Sequence, residues 1–144
     1  MRTSLRMRAA TVFATAAVLA GGGVLVGAGS ASAAVPTNVK FWVSDMDSDG
    51  SRSIGVEVNG KWAGAGYWTA NGDQLQAVDT AADGFGIAAY LGTSPVREAS
   101  TYGHSSPYTA TKTGNLPEDK KYTFWVCVGG SAGQVCSDVY NVTS

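Results

Sequence analysis

The sequence predicts an all-β protein, an immunoglobulin-like β-sandwich of about seven to eight antiparallel strands with one disulfide. Three observations carry that expectation. No stretch keeps apolar residues at spacings of three and four for long enough to make a helix. From residue 39 onward, short segments of alternating apolar and polar residues recur, separated by Gly, Asn and Asp. The only two cysteines, Cys127 and Cys136, fall within the last pair of such segments.

The elements follow in order. Val39, Phe41 and Val43 alternate with Lys40, Trp42 and Ser44, and Ile54, Val56 and Val58 alternate with Gly55, Glu57 and Asn59. Each set reads as a strand with one buried face. Asn59-Gly60 predicts a tight hairpin turn, because both central residues of that turn need positive φ. Lys61 to Thr69 makes the return strand, and Asn71-Gly72 closes the next turn. Leu75 to Asp79, Phe85 to Leu91 and Tyr108 to Lys112 are further strands, and Tyr122 to Val128 with Gln134 to Val142 forms the closing pair. If Cys127 faces Cys136 in that pair, then Val128 faces Val135, Val126 faces Ser137 and Phe124 faces Val139 on a mostly apolar side. Trp125, Thr123, Asp138 and Tyr140 then fall on the other side, beside the disulfide.

Before residue 34 the pattern is of another kind. Arg2, Arg6 and Arg8 open the chain, Ala9 to Val39 holds no charge, and Ala31-Ser32-Ala33 ends the apolar run. A basic start, an apolar middle and a small-residue end are what a signal peptidase reads. Residues 1–33 are therefore expected to be a cleaved secretory signal peptide, and 34–144 a single secreted, extracellular domain. Three of the ten basic residues would leave with the signal, so the mature part would carry seven against eleven acids, a net charge of −4. That balance argues against nucleic acid or an anionic membrane as partner. In an oxidising compartment the cysteine pair is expected to form a disulfide. Closing so short a loop should stabilise the fold by about 2.5–3 kcal/mol.

Leu116-Pro117-Glu118-Asp119-Lys120-Lys121-Tyr122, running into Thr123-Phe124-Trp125-Val126, resembles the turn and strand that precede the last hairpin of fibronectin type III domains. The resemblance implies an immunoglobulin-like corner with Tyr122 as its anchor. As a whole the chain resembles small exported proteins of actinomycete-type bacteria, which implies a location and no activity.

Candidate chemistry is sparse. Asp45, Asp47 and Asp49 alternate ahead of Gly50, as at the start of an EF-hand loop, and could offer carboxylates to calcium. The twelfth position, which needs a bidentate acid, is Val56, so the alternative is a solvated acidic turn balanced by Arg52. Trp42, Trp62, Trp68 and Trp125, with Tyr67 and Tyr140, could form an aromatic platform, or could be core fillers with glycines making room. Trp62 and Trp68 are expected on one face of their strand, with Gly64 and Gly66 between them. His104 is the only imidazole, and no nucleophile-elbow motif accompanies it. The reading is a secreted, monomeric, non-catalytic binding domain for an extracellular protein or polysaccharide, with no cofactor unless calcium. A small hydrolase using His104 and a calcium-binding structural module are the alternatives.

Overall fold

A computed structural model describes residues 34–144; the expected signal peptide lies outside the described residues. The described chain holds ten strands and no helix: β1 (Val39–Val43), β2 (Arg52–Val58), β3 (Lys61–Thr69), β4 (Gln74–Asp79), β5 (Gly86–Leu91), β6 (Arg97–Ser100), β7 (Tyr108–Lys112), β8 (Lys121–Gly130), β9 (Gly133–Cys136) and β10 (Tyr140–Thr143). They form two antiparallel sheets. The first runs β1-β2-β3-β4-β7; the second runs β10-β8-β5-β6, with β9 also paired to β8.

The protein is thus an all-β sandwich, as its alternating pattern requires, with more strands than the expected seven to eight. One addition is β6, whose Arg-Glu-Ala-Ser sequence buries only Ala99 and so shows little apolar periodicity. The other comes from the last expected strand, which is broken into β9 and β10. Cys127 pairs with Cys136 and Val128 with Val135, as expected. Past the break, however, Phe124 pairs with Tyr140 and Tyr122 with Val142. The segment between Cys136 and Tyr140 carries one residue more than an unbroken ladder would hold. Val139 is therefore exposed, while Tyr140 turns to pack against the core and Val142 is buried. Ser137 bridges the break: its N–H donates to the Val126 carbonyl, and its hydroxyl accepts from the Val126 N–H.

The core lies between the sheets. Ile54, Val56, Trp68, Leu75 and Ala77 from the first meet Ile87, Ala89, Leu91, Phe124, Val126 and Val128 from the second. Asn59 and Gly60 adopt φ of 53° and 76°, the left-handed pair that a two-residue hairpin needs. Two long-range clamps close one end of the sandwich. Arg97 donates to the carbonyls of Asp73 and Gly114 at 2.8 and 2.9 Å, and the Asp73 carboxylate accepts from the Leu116 N–H at 2.7 Å. Ser144 ties the corner before β8, where its hydroxyl donates to the Pro117 carbonyl and its own carbonyl accepts from the Asp119 N–H.

The return strand β3 departs from its expected pattern. Glu57 pairs with Trp62 and Val56 with Gly64, so Ala63 is an extra residue without a partner on β2. A bulge of this kind reverses the facing of everything beyond it. Trp62 points outward and Trp68 inward, 1% exposed, with its indole N–H donating to the Thr143 carbonyl at 3.0 Å. The two tryptophans therefore do not share a face, and Trp68 belongs to the core.

The disulfide joins Cys127 and Cys136 across β8 and β9. Replacing both with Ala should lower unfolding stability by about 2–3 kcal/mol, read as a lower denaturation midpoint with near-unchanged far-UV dichroism. An unchanged midpoint would show that the bridge does not constrain the unfolded chain.

Candidate functional site

The outer face of the first sheet is built by alternation. Val39, Phe41 and Val43 turn toward the core, so Trp42 faces solvent; Ile54, Val56 and Val58 do the same for Gly55 and Glu57. The bulge places Trp62, Ala65 and Tyr67 outward on β3. Leu75 and Ala77 leave Gln76 and Val78 outward on β4, and β7 adds Thr109 and Thr111. Trp42 is 56% exposed, Trp62 53% and Tyr67 38%.

Both indoles are held in place. The Trp42 N–H donates to the Glu57 carboxylate at 3.2 Å. Trp62 lies over Gly55, its ring carbons 2.3 and 2.6 Å from where a β-carbon on Gly55 would stand. Gly55 is thus the seat of the Trp62 ring, and any side chain there must lift it. Farther along the face, the Gln76 amide donates to the Thr111 hydroxyl at 3.2 Å.

The outer face of the second sheet also carries aromatics, but these are engaged with each other. Trp125 is half-buried and stacks on Tyr90 with ring centroids 5.2 Å apart. The Tyr102 ring covers Gly86, and its hydroxyl donates to the Gln134 side-chain oxygen at 3.0 Å. Burial pushes both tyrosine hydroxyls above their ordinary value, keeping them neutral. Beneath them Ala88 and Cys127 are fully buried on what is formally the outer side. Of the four tryptophans expected as a platform, the fold therefore brings together only Trp42 and Trp62, joined by Tyr67. Trp125 sits on the other sheet and Trp68 in the core.

The remaining sequence candidates lie apart. In the acidic loop, the Asp47 N–H donates to the Ser51 carbonyl, and the Asp49 carboxylate accepts from the Ser51 N–H at 2.9 Å. The Ser51 backbone and side-chain hydrogen bonds hold the Asp49 carboxyl below its ordinary value. Among the described residues, no three His, Cys, Asp or Glu side chains stand close enough to hold a metal ion, Asp45, Asp47 and Asp49 included. Arg52, expected to balance this turn, places its guanidinium 5.4 Å from the Tyr140 ring centre instead. His104 stacks flat on Tyr108 at 3.8 Å, and the Ser106 hydroxyl donates to the Ala81 carbonyl. The imidazole ring and the Ser106 hydroxyl are thus engaged with Tyr108 and with the Ala81 carbonyl.

No known protein family, curated protein or solved structure matches this chain.

The site must therefore be judged on its own chemistry. Two exposed indoles, a phenol and a row of uncharged polar groups make a surface suited to stacking and neutral hydrogen bonding. Sequence alternation pointed to Trp42, and composition to Trp62 and Tyr67. It missed Gly55, Gln76 and Thr111, although the alternation of Gln74 and Gln76 with Leu75 and Ala77 could have revealed the polar side of β4.

Two outcomes are expected. Gly55→Ala should lift the Trp62 ring, giving red-shifted tryptophan emission and greater acrylamide quenching in a protein that still melts cooperatively; an unaltered spectrum would show that the ring is not seated on Gly55. The second concerns Asp79, 2% exposed at the end of β4. Burial pushes its carboxyl above the ordinary 3.8, against the opposing hydrogen bond from the Ala81 N–H. The folded state then holds that proton more tightly than the unfolded chain, so Asp79 costs stability as pH rises through its folded value. Asp79→Asn should raise the melting temperature at pH 7, and the gain should shrink as pH falls through the raised folded value of Asp79 toward the ordinary carboxylate value. A gain that is independent of pH would disprove this account.

Proposed function

We propose that this protein is a secreted, non-catalytic binding module that holds a polysaccharide on the outer face of its first sheet. The observation that carries the reading is the pair Trp42 and Trp62, side by side and more than half exposed. Leaving such a side chain in water forgoes about 1.5–3 kcal/mol of burial. On the second sheet the same chain covers Tyr90 and Trp125 by stacking them on each other, so the open pair is not a general feature of its surface. Contiguous exposed apolar area marks a contact surface.

Sugars suit this surface for a specific reason. A pyranose presents a face of C–H groups, which stacks on an indole, and a rim of hydroxyls, which needs neutral donors and acceptors. Tyr67, Gln76 and Thr111 supply those beside the rings. The export signal read in residues 1–33 would deliver the domain to where polysaccharides of cell walls and extracellular matrices are found. A protein partner is the competing occupant.

The test is a depletion assay of residues 34–144 against insoluble cellulose, chitin and bacterial cell wall, paired with fluorescence titration by soluble glycans. Retention on at least one polysaccharide is expected, with an emission change on titration. Trp62→Ala should weaken binding on the order of tenfold or more, as loss of an aromatic anchor does. The exposed Val139→Ala should have no effect. No retention and no spectral change with any glycan would overturn the reading in favour of a protein partner.

A further inference from the structure

Resting on that polysaccharide reading, we infer that the ligand is a linear, uncharged chain of β-linked pyranoses, and that it lies across the strands from β1 toward β7. The register of the first sheet sets two parallel rows at right angles to its strands. In one row Trp42, Gly55, Ala65, Val78 and Thr109 stand directly opposite one another in turn. Trp62 joins this row because its ring rests on Gly55. Two residues farther along the strands, Ser53, Tyr67, Gln76 and Thr111 form the second row, again each opposite the next.

The rows differ in chemistry. The first is apolar until Thr109, its surface formed by Trp42, the Trp62 ring over the buried Gly55, and Val78, with Ala65 covered between them. The second consists of a hydroxyl, a phenol, an amide and a hydroxyl, the last two already hydrogen-bonded to each other. Two extended residues separate the rows by ~7 Å, about the breadth of a sugar ring. A pyranose with equatorial substituents has the same division, C–H groups on its face and hydroxyls at its rim. Laid flat on the first row, it turns one edge of hydroxyls toward the second.

Direction and length follow from the strand spacing. Trp42 and Thr109 are four inter-strand steps apart, ~19 Å at about 4.8 Å each, and a β-linked chain advances by a similar ~5 Å per sugar. One sugar therefore spans each inter-strand step, and the four steps accommodate about four. A chain running along a strand would cross each row at a single position and meet only one residue of each. An α-linked chain coils and would lift away from a flat sheet.

Charge complementarity favours the same occupant. The two rows hold no ionised group, and the nearest acid and base on this face, Glu57 and Lys40, stand directly opposite each other. The acids Asp45, Asp47, Asp49, Glu118 and Asp119 are in loops outside the rows. A neutral polymer meets no desolvated charge here, whereas a polyanion or polycation finds no partner.

The experiment is calorimetric or fluorescence titration of residues 34–144 with cello-oligosaccharides and chito-oligosaccharides, from monosaccharide to hexasaccharide, and with malto-oligosaccharides as the α-linked series. Affinity is expected to rise with length to about the tetrasaccharide and then level off in a β-linked series, with the α-linked series weaker at every length. Gln76→Ala and Thr111→Ala should each weaken tetrasaccharide binding roughly two- to tenfold, the worth of one neutral hydrogen bond, and leave disaccharide binding unchanged. Thr111 is exposed, so its variant folds whether or not Gln76 tolerates truncation. Binding that levels off at one or two sugars, or that treats both linkages alike, overturns this inference while leaving polysaccharide binding in place. Silence toward every series overturns both.

Discussion

One unpaired residue in β3 sets which way the two tryptophans of that strand face. Because Ala63 has no partner on β2, Trp62 faces solvent and Trp68 faces the core, six positions apart on a strand whose plain alternation would put them together. The inward half of β3 then packs against the second sheet. Gly66 lies so close to Val126 that a β-carbon would stand 2.3 Å from its methyl carbon, and Trp68 reaches across to the Thr143 carbonyl. The outward half delivers Trp62 onto Gly55 and Tyr67 opposite Gln76. The bulge thus supplies the largest core side chain and one of the two exposed indoles from one strand, and β-bulges are known for re-aiming side chains in this way.

The two outer faces show how such rings are disposed of when they are not needed at the surface. On the second sheet, Tyr90 and Trp125 stack, Tyr102 covers Gly86, and the phenols find side-chain acceptors. The result is a small apolar layer over Ala88 and the buried Cys127. On the first sheet, the tryptophans contact backbone and a carboxylate rather than each other, leaving much of their surface open. Each indole has a contact that places it, Trp42 on the Glu57 carboxylate and Trp62 over Gly55.

The strands themselves were legible in the sequence because burial on one face imposes a period of two, and β1, β2, β4, β7 and β8 carry it openly. The Asn59-Gly60 hairpin and the cysteine pairing were legible for equally local reasons: a left-handed φ at two successive residues and a facing pair across a short hairpin. β6 was not, since an edge strand with one buried alanine has no period to read. Nor were the breaks in register at Ala63 and between Cys136 and Tyr140. An unpaired residue leaves no mark on composition, yet it moves every later side chain to the opposite face.

By itself, then, the sequence determined the all-β class, most strand positions, the sealing of the last hairpin by Cys127 and Cys136, and an abundance of aromatic residues. It could not say which aromatics meet. That was decided by tertiary structure, because facing depends on where the ladder slips and neighbourhood depends on which strands lie side by side. The row from Ser53 through Tyr67 and Gln76 to Thr111 draws on four strands spread over nearly sixty residues. Only the order β2-β3-β4-β7 places them at one height on one face.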